Sequence, residues 1–312
     1  MKKQDVEFKS GGETVRGDLY LPDGSGPFPT IVMAGGWCYV KELRQPQYAE
    51  EFVRAGFAAL VFDYRRLGAS DGEPRQHLDP WDQIEDYKNA ISYLETVPAV
   101  DISRLGAWGI SYSGGHVLVL AASDPRVKCV VSNVAVVDGW RTMWRCHGSE
   151  RFRQLRALIA EDRAKRFSTG EYGYITMSGD PANVLATWPF DEVRVVFDEL
   201  KATQAPRHEH RSTVASVEKL LDYSVYPFLS RIVNTPTLMI VADSDDITMW
   251  DFESEVFNQI TTPKKKLTVL PDTSHMTLYS NVSALSLAAK WASQWFSEHL
   301  LELPSIERLM TL

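Results

Sequence analysis

Two patterns of hydrophobic and polar positions predict the strands of this chain. Residues 6–9 and 15–20 alternate between apolar and polar side chains on either side of Ser-Gly-Gly, which predicts an antiparallel hairpin. Residues 30–34 are continuously apolar, as expected of a strand that is covered on both faces of a sheet. The other predicted strands are residues 57–63, 104–108, 127–134, 237–241 and 267–270. The chain therefore predicts a buried sheet that begins with a hairpin.

Helical segments separate most of the predicted strands. The predicted helices cover residues 47–55, 79–95, 116–122 and 282–300. The second of them begins with Asp79 and Pro80, an N-cap followed by proline at the first helical position. Strands and helices that alternate at this spacing form right-handed βαβ units. We therefore predict an α/β fold with a mostly parallel sheet and helices on both of its faces.

The alternation of strands and helices is interrupted between residues 138 and 231. This segment has no strong strand pattern, has helical patterns at 149–167 and 213–221, and is rich in aromatic residues. An insertion of this size between two strands of one sheet is more typical of an active-site lid than of a separate domain. We therefore expect a core formed by residues 1–137 and 232–312, with residues 138–231 as a helical lid insertion.

A possible nucleophile lies where one buried strand meets the next helix. Residues 109–113 read Gly-Ile-Ser-Tyr-Ser, which matches the G-x-S-x-G nucleophile elbow except that Ser113 replaces the last glycine. In such an elbow a strained turn exposes the serine hydroxyl, here that of Ser111. The alternative interpretation is that Ser111 only caps the helix. Ser113 is a second candidate because it lies so close to Ser111.

A serine nucleophile needs a histidine base and a carboxylate that holds the histidine. His275 follows the strand at 267–270 and Asp245 follows the strand at 237–241, so both lie at the sheet edge where Ser111 is expected. Asp246 is the second choice for the acid. The other histidines are His77, His116, His147, His208, His210 and His299. We expect His116 and His299 to be packed or on a helix surface, and His208 and His210 to be solvated rather than to hold a metal.

Three stretches of the sequence are similar to the α/β-hydrolase superfamily. They are residues 109–115, residues 63–72 (Asp-Tyr-Arg-Arg-Leu-Gly-Ala-Ser-Asp-Gly) and residues 79–86. The closer resemblance is to dienelactone-hydrolase-like and X-prolyl-peptidase-like esterases, and to related hydrolases and acyl transferases of polyketide pathways. The resemblance implies an α/β-hydrolase fold, a catalytic triad of Ser111, Asp245 and His275, and no cofactor.

The same resemblance implies an oxyanion hole formed by backbone N–H groups of Tyr112 and Trp37. In these relatives the loop after the first buried strand commonly begins with His-Gly, whereas here it begins with Gly35 and Gly36. Because the donors are backbone groups, their function is compatible with the loss of the histidine side chain. We expect Trp37 and Cys38 to fill the space that the missing histidine leaves.

The aromatic residues of the segment 138–231 favour a mainly apolar substrate. We predict that the pocket includes Cys38, Trp140, Arg141, Trp144 and His147, with the arginine and the histidine facing a polar oxygen. The preferred function is a serine hydrolase that cleaves an ester, lactone or thioester through an acyl-enzyme. The alternatives are an acyltransferase of secondary metabolism, an X-prolyl-type peptidase and a non-catalytic binding protein of the same fold.

Composition and charge exclude several classes of partner. The formal net charge of −8 disfavours nucleic acid, which requires a basic surface. The three cysteines have no zinc-ligand spacing, and no apolar run is long enough for a membrane span or a secretory signal. We expect a cytoplasmic protein with a small-molecule substrate, no bound metal, and no nucleic-acid or membrane partner. A homodimer is left open.

Overall fold

The structure is a computed structural model that describes residues 1–301 of the chain. The strands are β1 (Lys2–Ser10), β2 (Glu13–Leu21), β3 (Phe28–Ala34), β4 (Ala58–Phe62), β5 (Val100–Ile110), β6 (Cys129–Asn133), β7 (Tyr174–Thr176), β8 (Arg211–Thr213), β9 (Thr237–Ala242) and β10 (Lys265–Leu270). The helices are α1 (Gln45–Arg54), α2 (Pro80–Leu94), α3 (Tyr112–Ser123), α4 (Gly139–Thr169), α5 (Asp191–Thr203), α6 (Val214–Leu221), α7 (Tyr226–Leu229), α8 (Trp250–Gln259), α9 (Thr277–Ser280) and α10 (Val282–Leu300). Residues 302–312, the end of the predicted core segment 232–312, lie outside the described residues.

The central sheet has eight strands in the order β1-β2-β4-β3-β5-β6-β9-β10. The strands from β4 to β10 in this order are parallel, while β2 pairs antiparallel with both β1 and β4. All residues of β4, β6 and β9 are buried, in agreement with their mainly apolar sequences. The predicted α/β fold with a mostly parallel sheet is confirmed, and so is the hairpin at its start.

Polar side chains begin the helices that flank the sheet. The Asp79 carboxylate accepts a hydrogen bond from the Trp81 amide at 3.0 Å, with Pro80 in the first turn of α2 as predicted. The Asn281 side chain accepts from the first amides of α10 in the same way. None of the helices in the described part of the chain has both the length and the apolarity needed to cross a lipid bilayer.

Residues 138–231 contain helices together with one small strand pair. Helix α4 begins earlier than predicted, at Gly139, and is kinked at Gly148, where φ is 63°. Strands β7 and β8 pair antiparallel over three residues each, an element that the sequence analysis did not predict. Three residues are too few to show a period in the sequence, so the pairing is visible only in the structure.

Candidate active site

Ser111 occupies a tight turn between β5 and α3. Its backbone has φ 58° and ψ −118°, a conformation that is strained for a residue with a side chain. The turn needs small neighbours: a Cβ atom on Gly109 would lie 2.1 Å from the carbonyl oxygen of Ser113. The Ser111 amide donates to the Asn133 carbonyl at 2.9 Å, which ties the turn to β6. This geometry is that of a nucleophile elbow.

Ser113, the second candidate nucleophile, is fully buried and already bonded. Its hydroxyl donates to the carbonyl oxygen of Gly35 and contacts the hydroxyl of Tyr64. Ser113 therefore connects the elbow to the loop after β3. The structure gives it a supporting contact and leaves Ser111 as the serine that lines a cavity.

The structure brings Asp245 and His275 together at the same edge of the sheet. Nδ1 of His275 lies 2.7 Å from Oδ2 of Asp245, and both side chains are buried. Oδ1 of Asp245 accepts the amides of Ile247 and Thr248 at 2.9 and 2.8 Å, and the Thr248 hydroxyl donates to Oδ2 at 2.8 Å. Burial raises the pKa of Asp245, but the charge and hydrogen bond of His275 and the bonds from Thr248 outweigh burial and hold it below its ordinary value.

The other two carboxylates of this loop have different surroundings. Asp243 accepts the amides of Asp272 and Thr273 at 3.0 and 3.2 Å, so it joins the two loops without contacting the histidine. Asp246 is exposed to solvent. Of the three neighbouring carboxylates, Asp245 is the one that bonds His275.

Ser111 and His275 line the same narrow cavity. Its other walls are Trp37, Tyr39, Met177, Trp188, Val193, Phe197, Ile247, Met276 and Tyr279. No hydrogen bond joins the Ser111 hydroxyl to His275 within residues 1–301; the partner of Nε2 is instead the hydroxyl of Tyr279 at 3.4 Å. The cavity is small for a ligand site, and most of the residues that line it are apolar or aromatic.

The loop after β3 lies directly against Ser111. A Cβ atom on Gly36 would lie 2.8 Å from the Cβ of Ser111, so only glycine allows this approach. In the described part of the chain, the amide N–H groups of Trp37 and Tyr112 have no protein acceptor. These are the two donors that the resemblance assigns to an oxyanion hole, and the geometry leaves both open.

The space of the missing loop histidine is filled differently from the prediction. A Cβ atom on Gly35 would lie 2.0 Å from the ring of Tyr39, so the Tyr39 ring occupies the place of a side chain at position 35. Trp37 lines the cavity beside Trp188, with ring centroids 6.3 Å apart. The prediction that Trp37 and Cys38 fill this space is therefore corrected: the chain reverses after Trp37 and brings Tyr39 back over Gly35.

Most of the predicted pocket residues lie elsewhere. Trp140, Arg141 and Trp144 line a separate surface groove with Phe252, and both tryptophans are exposed. Arg141 is paired with Glu255 at 2.8 Å. The expectation that they line the pocket of Ser111 is corrected, because the first turns of α4 place them on the outer surface. Side-chain direction on a helix depends on packing, which composition does not show.

Cys38 and His147 are buried but do not line the cavity. The Cys38 thiol donates to the Arg211 carbonyl at 3.3 Å, and Nε2 of His147 lies 2.9 Å from the Thr187 carbonyl. Their assignment to the pocket is also corrected. The cavity wall comes from other residues of the same aromatic segment, among them Trp188 and Phe197.

His208 and His210 contact each other, and His210 also contacts Ser178. Nε2 of His208 lies 3.3 Å from Nδ1 of His210, and Nε2 of His210 bonds the Ser178 hydroxyl at 2.8 Å. In residues 1–301 no group of three or more side chains is arranged to hold a metal ion. The pair serves to join the segment after β7 to the start of β8.

Three residues near His275 were not found from the sequence. Thr248 bonds Asp245, Tyr279 contacts Nε2 of His275, and Glu253 lies 3.2 Å from the Thr248 hydroxyl. Tyr279 follows His275 by four residues in the turn that forms α9, a spacing that places it on the same face. That spacing was a usable signal for Tyr279, whereas nothing in the sequence indicates Glu253.

The sequence also matches a known family. Residues 11–277 match the family described as X-Pro dipeptidyl-peptidase (S15 family). The chain belongs to the S15 family. The members of this family are hydrolases, and the predicted membership of the α/β-hydrolase superfamily is confirmed.

Several known proteins are similar to this chain over most of its length. The acyltransferase drtE of Aspergillus calidoustus is 30% identical and covers 84% of each sequence. A thiohydrolase of Eupenicillium brefeldianum is 29% identical, again over 84% of each. The crystal structure of the α/β hydrolase GrgF from Penicillium sp. sh18 has a TM-score of 0.81 and 24% identity, over 97% of this chain and 100% of that one. The S15 chain therefore has the α/β-hydrolase fold.

Proposed function

We propose that this protein is a serine hydrolase that cleaves a thioester or ester of a neutral, mainly apolar acyl group. One observation carries the proposal: Nδ1 of His275 lies 2.7 Å from Asp245, and Ser111 lines the same small cavity as that histidine. A serine in an elbow, a histidine and a buried carboxylate are the parts required for nucleophilic acyl transfer. The hydrolase fold and family agree with this chemistry.

The proposed reaction proceeds through an acyl-enzyme. His275 takes the proton of the Ser111 hydroxyl through Nε2 while Oγ attacks the substrate carbonyl, and Asp245 stabilises the imidazolium that forms. The amides of Trp37 and Tyr112 donate to the oxyanion. The proton on Nε2 then passes to the departing thiolate or alkoxide. A water molecule then gives a proton to His275 and attacks the acyl carbonyl. The bond between that carbon and Oγ of Ser111 breaks, Oγ takes the proton back from Nε2, and the acid is released.

The cavity wall favours a neutral acyl group. An X-prolyl peptidase must hold the ammonium group of its substrate, which calls for a carboxylate in the pocket. Among residues 1–301, those that line the cavity of Ser111 include no Asp, Glu, Lys or Arg. We therefore propose an acyl thioester or ester as substrate, in agreement with the names thiohydrolase and acyltransferase of two relatives.

Residues 138–231 are proposed to act as a lid over the cavity. Part of the wall of the cavity that holds Ser111 and His275 comes from this segment, namely from Met177, Trp188, Val193 and Phe197. Ser111 is 7% exposed and His275 4% exposed, so little of either side chain is in contact with bulk water. Exclusion of water favours transfer of the acyl group to a bound alcohol or amine, which makes acyl transfer the second candidate.

The test of the nucleophile is covalent labelling with a fluorophosphonate, followed by intact-protein mass spectrometry. We expect one adduct on the wild type and none on Ser111→Ala. Ser244→Ala is the matched control, because Ser244 is exposed on the loop of Asp245 and has no contact with the cavity. Equal labelling of wild type and Ser111→Ala contradicts the proposal.

The substrate class is tested with a panel that separates the alternatives. Aryl esters and acyl thioesters of medium chain length are expected to be cleaved, and X-Pro anilides are not. Titration with an added alcohol or amine distinguishes hydrolysis from transfer. If the enzyme transfers the acyl group, the product changes from the acid to the ester or amide; if it only hydrolyses, the product stays the acid. Cleavage of X-Pro anilides with higher kcat/KM than thioesters contradicts the proposed substrate class.

A further inference from the structure

A second buried carboxyl group lies behind Asp245. The Glu253 side chain, on helix α8, is fully buried, and its Oε1 lies 3.2 Å from the hydroxyl oxygen of Thr248. The same hydroxyl lies 2.8 Å from Oδ2 of Asp245 and 3.4 Å from Nδ1 of His275. Thr248 thus stands between two carboxyl groups and beside the histidine.

The hydrogen atoms available to this cluster determine where its charge lies. Asp245 accepts four hydrogen bonds: two from amides, one from His275 and one from Thr248. Four donors are the full capacity of an ionised carboxylate. In contrast, Oε2 of Glu253 has no hydrogen-bond partner among residues 1–301. The negative charge is therefore stabilised on Asp245 and not on Glu253.

The Thr248 hydroxyl has one hydrogen and cannot donate to both carboxyl groups. Since it donates to Asp245, its contact with Glu253 Oε1 is a hydrogen bond only if Glu253 carries a proton and donates it. An ionised Glu253 would instead place two buried negative charges on either side of one hydroxyl, with a lone-pair contact between two oxygens.

We propose that Glu253 is a neutral carboxylic acid at neutral pH, and that its proton makes it the residue that positions Thr248, Asp245 and thereby His275. The chain of donors runs from Glu253 through Thr248 to Asp245, which also receives the N–H of His275. Glu253 does not touch the substrate and transfers no proton in the reaction. Its role in catalysis rests on the proposed triad, whereas its protonation state does not.

The surroundings of Glu253 agree with this assignment. Burial raises the pKa of Glu253 well above its ordinary value, and the charge of Asp245 raises it further; together they outweigh the lowering of the pKa by the neighbouring Thr248 hydroxyl and the Ala135 amide. The titratable groups that face the cluster are Asp245 and His275, together with Cys146, whose thiol contacts the Ile247 carbonyl at 3.6 Å. Burial and the charge of Asp246 raise the pKa of Cys146 as well, so it brings no second charge at neutral pH.

Infrared difference spectroscopy measures the proton directly. The protein is labelled with ¹³C at the glutamate side-chain carboxyl, and spectra are recorded at neutral pH for the wild type and Glu253→Gln. We expect the C=O stretch of a protonated carboxyl in the wild type, shifted by the label and missing in Glu253→Gln. Glu255→Gln is the matched control: Glu255 is on the same helix, half-exposed and paired with Arg141, and its loss removes only carboxylate bands. Absence of the protonated band from the wild type at neutral pH overturns the proposal.

Kinetics then test the positioning role. The side-chain amide of Glu253→Gln still donates to Thr248, so we expect kcat and KM within about threefold of the wild type. Glu253→Leu has no donor, and its kcat is expected to fall about tenfold with little change in KM. At alkaline pH the wild type loses activity as Glu253 ionises, and Glu253→Gln does not. Equal kcat for the glutamine and leucine variants overturns the positioning role.

These outcomes are separate from those of the proposed function. If Ser111 is not labelled by fluorophosphonate but the protonated band is present, the hydrolase proposal fails while the protonation of Glu253 stands. If Ser111 is labelled and the band is absent, only the inference about Glu253 fails. Circular dichroism of each variant checks that the fold is retained.

Discussion

The hydroxyl of Tyr279 lies 3.4 Å from Nε2 of His275, the nitrogen that the proposed mechanism requires as the base. The two rings are nearly parallel, at 28° with centroids 5.5 Å apart. Burial raises the pKa of Tyr279, so its hydroxyl stays protonated. Because Nδ1 of His275 carries the hydrogen that faces Asp245, Nε2 is the acceptor for this hydroxyl. In this structure Tyr279 thus contacts the nitrogen that has to accept the proton of Ser111.

We predict that Tyr279→Phe increases the rate of Ser111 labelling. The substitution removes the hydroxyl that competes for Nε2, so that Nε2 can accept the proton of Ser111; only one long hydrogen bond is lost. The second-order rate constant for labelling by fluorophosphonate should therefore rise about threefold. The measurement is the time course of adduct formation by mass spectrometry. A decrease of tenfold or more would instead show that the tyrosine hydroxyl assists the reaction.

Asp245 and Asp246 offer a matched pair of substitutions. Asp245→Asn removes the carboxylate that holds the histidine, and kcat/KM should fall by about 10⁴. Asp246 is exposed and does not contact His275, so Asp246→Asn should stay within about twofold of the wild type, as surface substitutions usually do. Steady-state kinetics with an activated ester check both values. Comparable losses in the two variants would contradict the assignment of the acid.

Two tryptophans of the segment 138–231 lie in different places, one in the cavity and one on the surface. Trp188 is 3% exposed and lines the cavity of Ser111, whereas Trp144 is 47% exposed in a separate groove. Trp188→Phe should widen the cavity and shift the preferred acyl chain to a longer one, while Trp144→Phe should leave the chain-length profile unchanged. The profile of kcat/KM over a series of acyl thioesters measures this. A change in the Trp144 variant alone would contradict the lid proposal.

Buried histidines make the stability of the fold sensitive to acid. Burial lowers the pKa of His116 to about 3 and that of His77 and His208 to about 4. The unfolded chain takes up these protons below about pH 6.5 and the native state does not. Since the unfolded state then binds more protons, the free energy of unfolding falls as the pH drops from about 6.5 to 4, by up to about 4 kcal/mol per pH unit for three histidines.

Urea denaturation between pH 7 and pH 4.5 measures this dependence. His116 bonds Tyr223 and Gln83 at 2.9 Å each and is the most strongly shifted of the three, so His116→Gln should reduce the pH slope by about a third. An unchanged slope in this variant would show that the acid sensitivity has another origin.

Much of the fold follows from local patterns in the sequence. The mainly apolar segments and the alternation at residues 6–9 and 15–20 predicted the strands of the eight-stranded sheet, and Asp79-Pro80 predicted the start of α2. Burial in a sheet and helix capping both leave direct signals in the sequence. The positions of Ser111, Asp245 and His275 were predictable for the same reason. Each follows a strand, and the carboxyl ends of parallel strands meet at one edge of the sheet.

Only the tertiary structure decided which side chains surround that edge. Tyr39 fills the space at Gly35, Trp188 and not Trp144 lines the cavity, and Glu253 meets Asp245 through Thr248. These contacts depend on the direction of side chains and on the matching of donors with acceptors between distant segments. The sequence records residue types and local periods, and it therefore determined the sheet and the order of the proposed triad. The walls of the cavity and the protonation of the buried acid arise from packing, which no local period encodes.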